Sequence, residues 1–419
     1  MCYTIEMATH TPPHPVDAVT LHSIEEARAR IRADVYCTPC NHSATISRIA
    51  GQRVYLKLEN LQMTGSFKER GALNKILTLT DSDKQRGVIA ASAGNHAQGV
   101  AFHATRHGIR ARIVMPMMTP LVKVNATRNY GADVVLHGAN YDEAYEEACR
   151  LAALEGLVFI HPFDDPAVIS GQGTIALEIL EQVQDVEAVV VPIGGGGLVS
   201  GIACALKSLR PNVRVIGVQA ARMPSMQSAL RAHKPVTIDS NTTIADGIAV
   251  RRSGEITVPM VEKYVDEIVL AEEEEIASGI LTLLEREKTL AEGAGAAAVA
   301  ALLHHKTTLR GEKTVALVCG GNIDVSLLAR IIQRGLAKDG RIVRLQIHLS
   351  DRPGSLHQLT RLLTVHQANI VELHHDRTYY GVNLGDTMID VTLEARGEEQ
   401  IQQILHGLAQ EGYRHERIV

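Results

Sequence analysis

The chain has 419 residues, 45% hydrophobic and 21% charged, the balance of an ordinary globular protein long enough for two or three domains. Its 42 basic and 47 acidic residues leave a net charge of -5, and aromatics are 3% with no Trp, so neither nucleic-acid attraction nor a base-stacking surface is expected. No apolar run reaches the length of a membrane span, and six scattered cysteines fit a reducing, cytoplasmic setting better than a disulfide scaffold.

In chain order, residues 1–18, with "MATHTPPHPVD", read as a flexible leader without the charged-then-apolar order of a signal peptide. Cys37 and Cys40 form a CxxC with no second one to complete a zinc site, so chance spacing is the better account and no metal is expected. From Val54 onward, β-rich runs alternate with helical patterns. The runs are "VYLKLEN", "GVIAASA", "RARIVMP", "ADVVLHG", "LVFIHP", "VEAVVVPI", "VRVIGVQA", "DEIVLA" and "KTVALVC". Between most of them sit "FKERGALNKILTL", "NHAQGVAFHATRHG", "YDEAYEEACRLAALEG", "GLVSGIACALKSL", "EEIASGILTLLERE" and "NIDVSLLARIIQRGL". The acidic Glu272–Glu275 is a first helical turn favoured by the helix dipole. Nearly continuous apolar strands separated by helices predict an α/β protein with parallel sheets covered on both faces.

The pattern changes at the polar hinge "AKDGRI" near Lys338. Beyond it the order strand, helix, strand, strand, helix, strand predicts a ferredoxin-like α+β domain over 338–419. His374 and His375 are adjacent on one of these strands and would face opposite ways, which disfavours a joint metal site.

Ligands of parallel sheets gather beyond the carboxyl ends of strands. There lie Lys68, then Gly94, Asn95 and His96, then Gly194, Gly195, Gly196 and Gly197, then Cys319 followed by Gly320, Gly321 and Asn322. Each glycine in an ordered element costs roughly 0.5–1 kcal/mol relative to alanine, so a run of them needs a reason. Bare N–H groups at a helix N-terminus make a phosphate cradle. A dinucleotide fingerprint is excluded, because Val199 and Ser200 stand at i+5 where Gly194 and Gly195 begin the motif, and Leu198 at i+2 where Gly196 does. "VRVIGVQA" also places Gln219 where a ribose-binding acid is required, and no GxxxxGK[ST] occurs. One phosphate and one lone lysine point to pyridoxal 5'-phosphate, whose aldehyde needs a lysine amine.

"GSFKERGA", "ASAGNHAQG", "PIGGGGLVSG" and "CGGN", in that order, resemble the fold-type-II pyridoxal-phosphate enzymes, specifically the threonine/serine dehydratases, over roughly Ala18 to Leu336. "LSDRPGSLHQL" resembles the ACT regulatory domains. The resemblance implies two parallel-sheet subdomains within 19–337, the smaller at roughly 60–165. It implies that Lys68 carries the cofactor and then serves as base, with Phe67 packed beside it. Asn95 would hydrogen-bond the ring hydroxyl, and backbone from Ser92 through Ala93, Gly94 and Asn95 to His96 would hold the substrate carboxylate. Gly194 to Gly197 and the N–H of Leu198 would hold the phosphate, and Cys319 would face the pyridine nitrogen. The implied reaction is α,β-elimination of threonine to 2-oxobutanoate and ammonia, with serine as a second substrate. An amino-acid effector, isoleucine or valine, is expected near Asp351, Arg352, Pro353, Gly354 and Ser355, in a dimer or tetramer. A purely oligomerising role for that domain stays open.

Ala93 stands where related racemases carry a hydroxyl, which favours a lyase. Gln219 and Ser225 stand where some relatives carry metal-binding acids. Glu292, in "AEGAGAAA", matches a family motif without an evident role. A β-replacing synthase, a non-catalytic amino-acid sensor and, more remotely, a nicotinamide dehydrogenase are the alternatives.

Overall fold

The computed structural model describes residues 15–376 and 385–418. It has a first compact unit ending at Ile323 and a second beginning at Asp324. Most of the expected leader lies outside the described residues; Pro15–Ala18 forms a short 3-10 helix.

The strands of the first unit are β1 (Cys40–His42), β2 (Arg53–Leu58), β3 (Val88–Ala91), β4 (Ala111–Met115), β5 (Asp133–Leu136), β6 (Val158–Phe159), β7 (Ala188–Pro192), β8 (Arg214–Ala220), β9 (Glu267–Ala271) and β10 (Lys313–Val318). They form a six-stranded sheet in the order β1-β2-β10-β7-β8-β9 and a four-stranded sheet in the order β5-β4-β3-β6. All pairings are parallel except β1 with β2. This is the fold-type-II α/β architecture that the motifs imply.

Strand β3 shows why its sequence is apolar without interruption. Val88 and Ala90 enter one core cluster, Ile89 and Ala91 the other, so both faces are covered. The helix Pro166–Gln182, absent from the sequence reading, is buried at every residue from Val168 to Ile179. Its Gly171 lets the backbone meet the helix Lys68–Leu77, since a Cβ there would stand 2.6 Å from Arg70 O. The alanine-rich helix Gly293–Leu303, not among the helical patterns read above, is buried throughout. The second has no polar face to reveal a period, whereas the polar stripe Ser170, Thr174 and Glu178 of the first meets buried partners rather than solvent.

Under the helix Lys68–Leu77 lies a largely buried ionic network. Arg70 donates to both oxygens of Glu59 (2.7 and 2.8 Å) and both of Glu178 (2.6 and 2.9 Å), and Lys57 Nζ reaches Glu178 Oε2 at 2.6 Å. Two cations and two carboxylates cancel, and the forked geometry satisfies the guanidinium.

In the second unit, the helix Val325–Lys338 precedes β11 (Ile342–Ser350), β12 (Asn369–Asp376), β13 (Asp386–Glu394) and β14 (His415–Arg417). Their antiparallel sheet has the order β12-β13-β11-β14, with the helices Ser355–Val365 and Glu398–Gln410 as connections. That is the ferredoxin-like order. Val343, Leu345, Ile347 and Leu349 of β11 alternate into its core with Ile389, Val391 and Leu393 of β13. Among the described residues no helix is long and apolar enough to cross a membrane.

Candidate active site

The register of β2 with β10 sets Leu58 beside Val318, so the segments leaving both strands travel together. Phe67 N donates to Cys319 O at 3.1 Å, and Ser66 bridges to Gly320. Asn322 Nδ2 then donates to Thr64 O and to Asn95 Oδ1, both at 2.8 Å. Asn95 opens the helix Asn95–Arg106 beyond β3, so one amide ties the ends of three strands.

Lys68 is the first residue of its helix, where the macrodipole disfavours a cation, and among the described residues no carboxylate pairs with it. Its Nζ donates to Pro162 O at 2.7 Å. The side chain keeps a partial opening to solvent. Burial nevertheless lowers its pKa to about 8, against weaker upward pulls from Cys319 and Glu292. About a tenth of the amine is therefore neutral and nucleophilic at pH 7, far more than for an ordinary lysine.

Pro162 leads to Phe163, and Phe163 meets the glycine run. A Cβ on Gly195 would stand 2.4 Å from the Phe163 ring, and one on Gly197 2.6 Å from Phe163 O. Gly196, at φ +101°, is the N-cap of the helix Gly197–Leu209; a Cβ there would stand 2.6 Å from Met226 Cε and 2.7 Å from Thr257 Cβ. These glycines thus answer to close packing as well as to a ligand. Thr257 Oγ1 donates to Gly195 O at 2.6 Å, and Asp164 accepts the N–H groups of Glu255, Ile256 and Thr257, fastening the support.

Among the described residues, no hydrogen bond is donated by the N–H of Gly194, Gly195, Gly196, Gly197 or Leu198; the helix's first bond is Ser200 N to Gly196 O at 2.9 Å. Successive unmatched donors heading a 13-residue helix fit a phosphate.

Among the described residues the N–H groups of Asn95, His96 and Ala97 form a second set of bare donors, whose helix begins its bonding with Gln98 N to Gly94 O. Ser92 Oγ accepts Gly94 N at 3.2 Å, and a Cβ on Gly94 would meet nothing within 4 Å, so space lies open there. Ala93 is half-buried against the small-sheet core. His96 is buried with Nε2 donating to Ile160 O at 2.9 Å, and burial, then Lys68, lowers its pKa to about 3. It is a neutral imidazole whose Nδ1 has no partner. His161, lowered by burial to about 4, accepts Asp164 N on Nδ1 at 2.8 Å. Cys319 is 2% exposed, and burial, then Glu292, pushes its thiol well above its ordinary pKa, so it is a neutral neighbour for a ring nitrogen.

Asn95 is more engaged than the motif suggested: Nδ2 donates to Glu292 Oε1 at 2.6 Å while Oδ1 accepts from Asn322, leaving one N–H for a ligand. Glu292, Asn322 and the Pro162–Phe163 corner are the site residues that carried no assigned role from sequence. The last lies at the end of "LVFIHP", where the strand-end rule applied to one more strand would have found it. Gln219 Oε1 accepts Gln227 N at 2.9 Å, and Ser225 is buried. Among the described residues no three His, Cys, Asp or Glu side chains are grouped to hold a metal. Cys37 and Cys40 are free thiols. Asp351–Ser355 belongs to the second unit, where Gly354, at φ +94°, turns the exposed loop into the helix Ser355–Val365.

The lysine, the unmatched donors and the neutral thiol fit pyridoxal 5'-phosphate, and comparison with known proteins agrees. The chain is 49% identical to an L-threonine ammonia-lyase of Thermotoga maritima over 94% of its own length and 98% of that protein's. It is 46% identical to the catabolic L-threonine dehydratase TdcB of Escherichia coli K12 over 75% of its own length and 96% of that protein's. In structure it is similar to maize serine racemase, with a TM-score of 0.72 at 35% identity, covering 77% of this chain and 99% of the other. Residues 31–320 match the family model described as pyridoxal-phosphate dependent enzyme, and the chain belongs to that family.

Proposed function

We propose that this enzyme is an ammonia-lyase that converts L-threonine to 2-oxobutanoate and ammonia, and L-serine to pyruvate and ammonia. The carrying observation is the part-buried amine of Lys68, paired with no carboxylate among the described residues and held at Pro162 O beside the corner that packs on the glycine run. When bound, the cofactor supplies an aldehyde that takes up an amino group and a ring that withdraws electrons from the α-carbon. The N–H groups of Gly194 to Leu198 would hold its phosphate, Cys319 would be a neutral neighbour for its ring nitrogen, and Asn95 would offer its remaining N–H. The N–H groups of Asn95, His96 and Ala97 hold the substrate carboxylate next to the open space at Gly94. Lys68, neutral in part at working pH, removes the α-proton.

Ala93 supports elimination over racemisation. A racemase needs a second proton carrier on the face opposite the lysine, and a methyl group carries none. The high identity to chains named threonine ammonia-lyase and threonine dehydratase supports the substrate. The second unit is proposed as an ACT-like regulatory domain, with isoleucine or valine bound near Asp351–Ser355 and the enzyme acting in the cytoplasm as a dimer or tetramer.

The test is product analysis with purified protein. Threonine should yield stoichiometric 2-oxobutanoate and ammonia, with no thioether or cysteine-type product when sulfide is added. Lys68→Ala should release neither product. An unaltered rate in that variant, or a β-replacement product from the wild type, refutes the reading.

A further inference from the structure

Glu292 is a buried carboxylate that the mechanism above does not use. At 4% exposure it occupies the N-cap of the helix Gly293–Leu303, yet its side chain makes no capping bond. It turns instead toward Asn95, whose Nδ2 donates to Oε1 at 2.6 Å, while the Glu292 backbone N–H donates to Gly320 O at 3.1 Å. Two glycines make the room: a Cβ on Gly320 would stand 2.4 Å from Oε1, and one on Gly247 3.3 Å from it. A side chain so confined has one orientation.

Its electrostatic surroundings come from two sides. Lys68 and Cys319 face it from the cleft, and Asp246 and Lys123, themselves paired at 2.7 Å, face it from the 3-10 turn Asp246–Ile248 and the helix Leu121–Asn129. Burial first, and Asp246 second, raise the pKa of Glu292 to about 7, while Asn95, Lys123 and Lys68 pull it down. A capping glutamate kept for stability would bond its own helix, and a buried carboxylate with no contacting cation is a cost that an apolar residue would remove.

We propose that Glu292 is a positioning residue that acts through Asn95, fixing its amide so that the free N–H is held for the cofactor, and that one proton on Glu292 sets how strongly Asn95 donates there. An ionised Oε1 polarises the Asn95 amide more than a protonated carboxyl does, so cofactor electronics and Glu292 share a titration. The inference rests on the cofactor placement above, not on threonine as the substrate.

The test is an absorbance titration of resting holoenzyme from pH 5.5 to 9. Wild type should show a transition near neutrality that E292Q, with cofactor still bound one per chain, lacks. Asp246→Asn should move the midpoint down and Lys123→Met should move it up, each by about half a pH unit at low salt. E292Q titrating like wild type overturns the proposal, as do peripheral variants that shift the midpoint in the same direction. Should E292Q fail to fold, the two peripheral variants still decide, because both positions are solvent-accessible. Failure to release ammonia from threonine with the titration intact would sink the substrate reading alone.

Discussion

Replacing Lys68 should make the cofactor-free protein more stable at neutral pH and less stable at high pH. The fall in pKa from 10.5 to about 8 means that the fold disfavours the charged amine. At about 1.36 kcal/mol per pH unit this is about 3 kcal/mol. The penalty is complete below pH 8, where folded and unfolded chains are both protonated. It fades between pH 8 and 10.5, where only the unfolded chain holds the proton, and vanishes above 10.5. Lys68→Met keeps the volume and removes the charge, but loses the 2.7 Å bond to Pro162 O, a cost of about 1 kcal/mol. The variant should therefore gain about 2 kcal/mol at pH 7 and lose about 1 kcal/mol above pH 10.5, so the sign reverses. Urea unfolding of both cofactor-free proteins at pH 7.0 and near pH 10.5 reads this directly. A variant destabilised equally at both pH values would show that the amine is not desolvated, and the account of its reactivity would fail with it.

Gly196→Ala, forced into a left-handed conformation against Thr257 and Met226, should cost about 1–3 kcal/mol and release cofactor, seen as lost visible absorbance after gel filtration. Arg70→Met leaves two buried carboxylates with only Lys57 and should destabilise by about 3–5 kcal/mol in thermal unfolding, although residue 70 lies outside the cleft. Asp164→Ala removes the acceptor for three N–H groups beneath Thr257 and should weaken cofactor binding about tenfold, about 1.4 kcal/mol by fluorescence titration.

The sequence showed the site where chemistry demands unusual residues in a row. A glycine run after a β-branched strand and a lone lysine beyond a strand end both break local rules, and such breaks mark function. It hid what depends on distance in space. Asn322 and Asn95 lie 227 positions apart, and nothing local says that their amides touch. Glu292 had no evident role in the sequence, because the glycines that turn it inward stand at 247 and 320. The helix Gly293–Leu303 escaped notice for another reason: buried throughout, it has no alternation of polar and apolar residues to read, while the polar stripe Ser170, Thr174 and Glu178 of Pro166–Gln182 meets Ser23 and Arg70 instead of solvent.

Three successive charges, Lys68, Glu69 and Arg70, then acquire a common logic. Consecutive helical residues point about 100° apart, so the three cannot share a destination. Glu69, fully buried, accepts Met63 N and Thr64 N at 3.2 Å each and clamps the loop leading into the helix. Arg70, 1% exposed, is locked between Glu59 and Glu178. With those two directions fixed by buried hydrogen bonds, the helix cannot rotate, and the remaining direction, toward Pro162 and the cleft, belongs to Lys68. An amine that the fold destabilises would otherwise escape to solvent by a small rotation of its helix. The buried ionic network resists that escape, which gives a costly set of charges outside the catalytic residues a structural role.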